Sequence, residues 1–383
     1  MARNRGTLAS IAAEVGVSRT TVSNAYNHPD QLSPELRERI LAAAAARGYT
    51  GPDPTARSLR TRQVGAIGVI LTENLAYAFE DQASIDFLAG LSESSAGTRN
   101  ALTLIPLGPN QGTEVSPLVA NALVDGFVVY SVPEAEPHLD AVRARGVPTV
   151  VCDQPYPDAP VDPVDHASVT RGTGAGTRTA YVGVDDAKAI TPAARALVAA
   201  GHIRIGIIGK RLFRDSRREG AVTREAVATA EMHVQRERIL GALAVFDSAG
   251  ITDVPIVTRH FNDHDTAVDA ARELLTEHSD LTAVLCTTDS MALGVLDYCA
   301  GVGLSVPGDV SVTGFDGIEQ ALSHGLTTVV QPNQRKGETV GHVLTLLIEA
   351  AATEPSDAEC EPLRIVLPTE FSPGQTVAPP RER

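Results

Sequence analysis

Apolar residues recur along this chain in two rhythms. From residue 7 to 47 the rhythm is helical. Leu8, Ile11, Ala12 and Val15 share one face, Val22 and Ala25 a second, and Leu36, Ile40, Leu41 and Ala44 a third. The spacing predicts three short helices. Thr7 and Ser18 stand as N-caps of the first two, and Ser33-Pro34 supplies a cap and a first-turn proline to the third. Gly16 permits a tight turn and Gly48 ends the last helix. Past Arg62 the rhythm changes to short apolar runs separated by amphipathic stretches. Strands are predicted over 64–72, 101–107, 124–131 and 147–153, and in a second series over 204–209, 254–258, 281–286 and 310–316. Helices are predicted near 82–96, 134–145, 187–200, 235–249, 264–277 and 289–303. Continuously apolar strands are expected where helices cover both sheet faces, and regular alternation implies parallel sheets with right-handed crossovers. Two series predict two lobes, with ligands bound outside the C-terminal strand ends, in a cleft between lobes.

Two short helices joined by a glycine turn, the second polar and capped, form a helix-turn-helix. In that reading Arg19, Thr20 and Asn24 face outward to base edges, since arginine matches guanine and asparagine matches adenine. Thr7, Ser18, Thr21 and Ser23 suit phosphate contacts. A three-helix packing module without a nucleic-acid role is the alternative. The next stretch bears on that choice. Pro52 and Pro54 break the preceding structure, and Ala56, Arg57, Ser58, Leu59, Arg60, Thr61 and Arg62 set a lone leucine among arginines. This is either a basic linker or a short helix that orders on DNA and wedges Leu59 into a minor-groove step.

Charge sharpens the division. The 383 residues carry a net charge of −15, which by itself argues against a polyanionic partner. Residues 1–62, however, hold nine arginines against five acidic residues, a net +4, so the remainder carries −19. A basic head on an acidic body implies two different partners. No apolar run reaches the ~18 residues of a membrane span, and the first residues lack a signal-peptide core, so a cytoplasmic protein is expected. Cys152, Cys286, Cys299 and Cys360 show no paired spacing and read as reduced thiols.

Candidate ligand contacts sit at strand ends: Asp153, then Thr287, Thr288 and Asp289, then Phe315 and Asp316. Carboxylates and a threonine hydroxyl suit a polyol, and an aromatic ring packs on its apolar face. For Asp289, capping of the following helix is the competing role. Gly172–Thr177 lacks the Lys-Ser/Thr ending of a phosphate loop. His260 and His264 have no third ligand at metal-like spacing, and no paired acid and base or nucleophile motif announces catalysis. The expectation is a binding protein without cofactor, metal or membrane. A solute receptor or a sugar-processing enzyme on the same two-lobed body is the other class.

The segment TLASIAAEVGVSRTTVSNAYN, the Gly48-Tyr49 pair and ARSLRTR together resemble the LacI/GalR family of bacterial repressors. The resemblance continues through DSMALG (289–294), GFDG (314–317), LTTVVQP (326–332) and RERILGAL (236–243). It implies a helix-turn-helix domain over 1–48, a hinge over 49–63, and an α/β, two-lobed, periplasmic-binding-protein-like effector domain. Its first lobe would comprise 64–184 and 326–352, its second 185–325 and 353–383. By resemblance Arg19 and Thr20 hold the leading specificity positions and Leu59 is the hinge leucine. Arg238 is the effector-binding arginine, and Phe79 and Phe261 lie near or against the effector. A homodimer on a pseudo-palindromic operator is implied, and no leucine-heptad tail suggests a tetramer. Two segments depart from the family pattern, 155–180 and 211–231, read as cleft-mouth lids or solvated loops. The details of the head, hinge and VQRERILGA resemble an actinobacterial subgroup, the inositol-responsive regulators of corynebacteria and mycobacteria. That points to myo-inositol as the effector.

Overall fold

A computed structural model describes residues 6–51, 58, 63–71, 78–95, 100–107, 117–133, 136–155, 178–353 and 363–381. The chain divides into two units after Gly65.

The first unit is built on helices α1 (Leu8–Val15), α2 (Arg19–Asn27) and α3 (Pro34–Ala46), with a 3-10 turn at Pro29–Gln31. Thr7 and Ser10 form a reciprocal capping box at the start of α1, which closes two otherwise orphan backbone donors. Ser18 and Ser33 accept from Thr21 N and Leu36 N at the other two N-termini. Gly16 takes the left-handed φ of +75° that ends α1, a conformation costly for any residue with a Cβ. Ile11, Ala12, Val22, Ala25, Ile40 and Ala44 are buried at the centre.

The second unit contains two sheets. Strands β1 (Ala66–Leu71), β2 (Ala101–Pro106), β3 (Gly126–Tyr130), β4 (Thr149–Cys152) and β5 (Thr179–Gly183) enter the first. Strands β6 (Ile205–Lys210), β7 (Gly220–Val222), β8 (Ile256–Arg259), β9 (Ala283–Cys286), β10 (Ser311–Asp316) and β11 (Thr327–Val330) enter the second. Then β12 (Leu363–Val366) returns to the first sheet and β13 (Glu370–Ser372) to the second. The orders are β12-β5-β4-β3-β1-β2 and β13-β11-β10-β9-β6-β8-β7. All pairs are parallel except the two edges of the second sheet, where β7 and β13 run antiparallel. The helices are α4 (Gln82–Ser95), α5 (Pro117–Asn121), α6 (Pro137–Ala144), α7 (Asp186–Ala189), α8 (Thr191–Ala199), α9 (Arg224–Ala228) and α10 (His233–Ser248). They continue with α11 (His264–Glu277), α12 (Asp289–Val302), α13 (Glu319–Ser323) and α14 (Asn333–Thr353).

The lobe boundaries expected from the sequence need correction at the C-terminal end. Strand β11, expected in the first lobe, pairs with β10 in the second sheet. Strand β12, expected in the second lobe, pairs with β5 in the first. An apolar strand declares that both its faces are covered, but not which sheet edge offers it hydrogen bonds. The chain therefore passes between lobes three times: after β5, after β11 and after β12. Segment 211–231 is only in part the lid or loop expected: 214–219 runs as an exposed loop, but the segment is also built into the lobe. It adds β7 to the sheet edge and packs α9 on α10, with Leu212, Phe213, Val227 and Ala230 in the core of the second lobe. Most of 155–180, the Gly172–Thr177 run and Cys360 lie outside the described residues, and 179–180 open β5. Cys152, Cys286 and Cys299 are buried free thiols.

Helix α14 crosses α4 at close quarters through glycine. A Cβ on Gly337 would lie 2.0 Å from the Phe87 carbonyl oxygen, and one on Gly90 would lie 1.9 Å from that of Gln334. The contact seats the start of α14, and hence Lys336, beside the strand ends of the first lobe.

Candidate functional site

On the first unit, Arg19 and Thr20 are exposed at the N-terminal end of α2, while Thr21, Ser23 and Asn24 are half-buried. The Asn24 side-chain amide donates to Gln31 Oε1 at 3.0 Å, which ties α2 to the following turn. The Thr7 and Ser18 hydroxyls close helix N-termini, where free backbone N–H groups favour an anion. Ser58 is half-buried. Ala56, Arg57 and Leu59 lie outside the described residues.

On the second unit, the strand ends carry unusual backbone. Ser131 after β3, Asp153 after β4 and Asp316 at the end of β10 have φ of +52°, +66° and +130°. Left-handed non-glycine residues cost free energy and concentrate at binding sites. Around them runs a buried polar path. Arg238 on α10 donates from Nε to Asp186 Oδ1 at 2.8 Å and from Nη1 to the Thr287 carbonyl at 2.8 Å. It also pairs with Asp316 Oδ1 at 3.5 Å. Gln331 Nε2 donates to Asp316 Oδ1 at 2.6 Å. Lys336 Nζ donates to Gln331 Oε1 at 3.0 Å and to both Asp153 oxygens at 3.0 and 2.8 Å. The path starts in the second lobe, passes along the β11–α14 crossing and ends on the first.

Phe315 is fully buried, with the Arg238 guanidinium 3.7 Å from its ring centroid. It serves as a floor beneath the arginine, a cation–π contact. Asp289 stands behind the path: its carboxylate accepts from Gly317 N, Ile318 N and Thr328 Oγ1. It does not cap α12. Thr288 is the cap, accepting from Met291 N and donating to Asn262 Oδ1 at 2.7 Å. An N-cap needs extended backbone, which Thr288 has and Asp289, the first helical residue, has not. Phe79 and Phe261 are 55% and 39% exposed, apart from the buried path, and Phe261 packs edge-on against His260.

Burial governs the titration of these groups. It pushes the Asp316 carboxyl up to about 7, against the Arg238 charge, and Asp186 and Asp289 up to about 6. Lys336 is raised: burial acts downward, but the charge and hydrogen bonds of Asp153, together with Cys152, prevail. Asp81 is lowered: burial acts upward, but Lys210 and hydrogen bonds from Ser84 and Asn262 prevail.

Further contacts join the lobes. Val234 N donates to Gln154 Oε1 at 3.2 Å, and Asn262 Nδ2 to Asp81 Oδ1 at 3.3 Å. Arg214, in the 211–231 segment, pairs at 2.9 Å with Glu136, whose other oxygen meets His138 Nδ1.

The pattern reading missed Lys336, Gln331, Asp186, Asn262 and Asp81. One compositional signal pointed to part of this set. The chain has 29 arginines but only three lysines, at 188, 210 and 336, and Lys210 and Lys336 face the cleft carboxylates. A chain that uses arginine nearly everywhere places compact ammonium groups where a planar fork does not fit.

Such an arrangement, a helix-turn-helix unit and a two-lobed body with a polar interlobe site, defines a ligand-responsive regulator. Residues 7–51 match the family described as bacterial regulatory proteins, lacI family, and residues 194–377 match the periplasmic binding protein-like domain. The chain is 50% identical to the HTH-type transcriptional regulator IpsA of Corynebacterium glutamicum, covering 98% of each. It is 42% identical to the HTH-type transcriptional regulator Rv3575c of Mycobacterium tuberculosis, covering 99% of this chain and 98% of that one. A solved LacI-family regulator from C. glutamicum superposes with a TM-score of 0.69 at 46% identity, over 97% of this chain and 99% of that one. The chain belongs to the LacI family of transcriptional regulators, and these relatives are regulators, not enzymes. Among the described residues no group of three or more candidate ligands could hold a metal ion, and no helix is long and apolar enough to cross a membrane.

Proposed function

We propose that this regulator binds operator DNA as a homodimer and releases or holds it according to a small cyclic polyol, myo-inositol, in the cleft. The observation that supports the ligand is the path from Asp186 through Arg238, Asp316, Gln331 and Lys336 to Asp153. Acceptors and donors alternate along it, and every hydroxyl of a polyol can both donate and accept. A ligand that bonds to both ends of the path bonds to both lobes, so its affinity depends on the angle between them. Linkage then makes the coupling reciprocal: a ligand that weakens operator binding is itself bound more weakly by the DNA complex.

On the DNA side, two copies of α2 would present Arg19 and Thr20 to two half-sites, with Asn24 behind them. Ala56, Arg57, Ser58 and Leu59 would form the hinge at the operator centre. The direct test is a gel shift on promoters of inositol-utilisation genes and on the protein's own upstream region, with and without myo-inositol. A shift that changes with myo-inositol supports the reading; a shift indifferent to it rejects the ligand. Leu59→Ala is expected to weaken operator binding at least tenfold while calorimetric affinity for myo-inositol is unchanged, since a lost apolar wedge forfeits ~1.5–3 kcal/mol. Equal operator affinity would remove Leu59 from the hinge.

A further inference from the structure

The cleft is rich in charge, yet its cations are matched. Lys336 is 1% exposed, and its ammonium donates to Asp153 twice and to Gln331 once, which uses all three N–H bonds. Arg238 faces Asp186 and Asp316, and Lys210 lies 3.9 Å from Asp81. Three cations thus oppose four carboxyl groups, with Asp289 a fifth one layer back. We propose that the Asp153–Lys336 pair is a charge selector, admitting an uncharged cyclic polyol and excluding its phosphate monoesters. The inference rests on the polyol reading above and adds which chemical form of the ligand the site accepts.

The argument is one of desolvation. A phosphate monoester carries a charge of about −1.5 to −2 at neutral pH. To enter it must lose water, and buried charges are tolerated only when a counter-charge and hydrogen bonds replace that water. Here Lys336 already faces Asp153, Lys210 faces Asp81 and Arg238 faces Asp186, carboxylates that would repel the newcomer. A neutral polyol meets no such penalty, because the ion-paired groups keep lone pairs and a polarised field for hydroxyls. Asp153 is the decisive member. Without its charge, Lys336 becomes a buried ammonium without a counter-ion, which is itself a phosphate site. Asp153→Asn keeps the shape and an oxygen acceptor while removing the charge, so it isolates this effect.

The experiment is calorimetric titration of the full chain with myo-inositol and with a myo-inositol monophosphate. The unaltered protein is expected to bind the monophosphate roughly 100-fold or more weakly than myo-inositol. Asp153→Asn is expected to narrow that ratio to about tenfold or less by strengthening the monophosphate, and Lys336→Gln to widen it. Comparable binding of both ligands by the unaltered protein overturns the selector and leaves the polyol reading standing. That arm needs no variant, so it holds even if a substitution impairs folding. A ratio unmoved in a folded Asp153→Asn protein, or narrowed in Lys336→Gln, also overturns it. Binding of neither ligand overturns the polyol reading, and the selector with it.

Discussion

Replacing Arg238 by methionine is expected to abolish the response to ligand and to lower stability by about 3–5 kcal/mol near pH 8, because Asp186 and Asp316 remain buried without their cation. The loss should depend on pH. With Arg238 present, the two carboxyls already titrate at about 6 and about 7, far above their unfolded value of 3.8. Between the unfolded and the folded pKa, the folded protein holds protons that the unfolded chain has released. Stability contributed by these groups is therefore greatest at the acid end and falls as pH rises through about 6 to 7. Removing Arg238 pushes both carboxyls higher still. The deficit of the variant should be small near pH 5, where both are neutral, and largest near pH 8. Thermal unfolding at the two pH values measures it. A deficit of equal size at both would mean that Arg238 contributes only packing on Phe315. Operator binding without ligand should persist in protein kept folded at lower pH, since the core of the DNA-reading unit is its own.

Gly337→Val is expected to be the most damaging single change on α14. Its Cβ would lie 2.0 Å from the Phe87 carbonyl and 2.6 Å from Leu91 N, which are backbone atoms that no rotamer change can clear. Overpacking costs ~1–3 kcal/mol when side chains yield, and here helix α14 must move as a body, so a loss of ~3 kcal/mol or more is expected. Because Lys336 is the neighbouring residue, ligand affinity should fall with stability. Gly301 on α12 is the control, since nothing lies within 4 Å of its added Cβ. Gly301→Ala should be neutral or stabilising by ~0.5–1 kcal/mol. Denaturant midpoints for the two variants decide the matter, and equal midpoints would sink the close-packing argument.

Where apolar period sets the local structure, the sequence was legible. The three helices of the first unit, their caps, and the strands from β1 to β10 other than β5 and β7 lie within a residue or two of their predicted places. Legibility failed where structure depends on distant partners. Val222, Leu363 and Phe371 sit in strands short enough to pass for loops, and each is ordered only by the strand beside it. The same holds for the site. Asp153 and Asp316 stand at strand ends, so their strands announced them, and Arg238 came through the family resemblance. Lys336 and Asp186 begin helices just after lobe crossings, and only the fold brings them to Asp153 and Arg238. Asp289 looked like a cap because one residue of phase separates an N-cap from the first helical residue.

The pair between Arg214 and Glu136 has a consequence in time. Opening the lobes must break it, and closing them must remake it. A partly exposed ion pair adds little to affinity at equilibrium. Placed across the line of opening, it stands on the closed side of the barrier: it has to break before the lobes part, so it slows opening and leaves closing unhindered. In the switch proposed above, the segment that carries Arg214 would thereby give the regulator a short memory: after the ligand pool is exhausted, the closed state would outlast it by the time the lobes take to part.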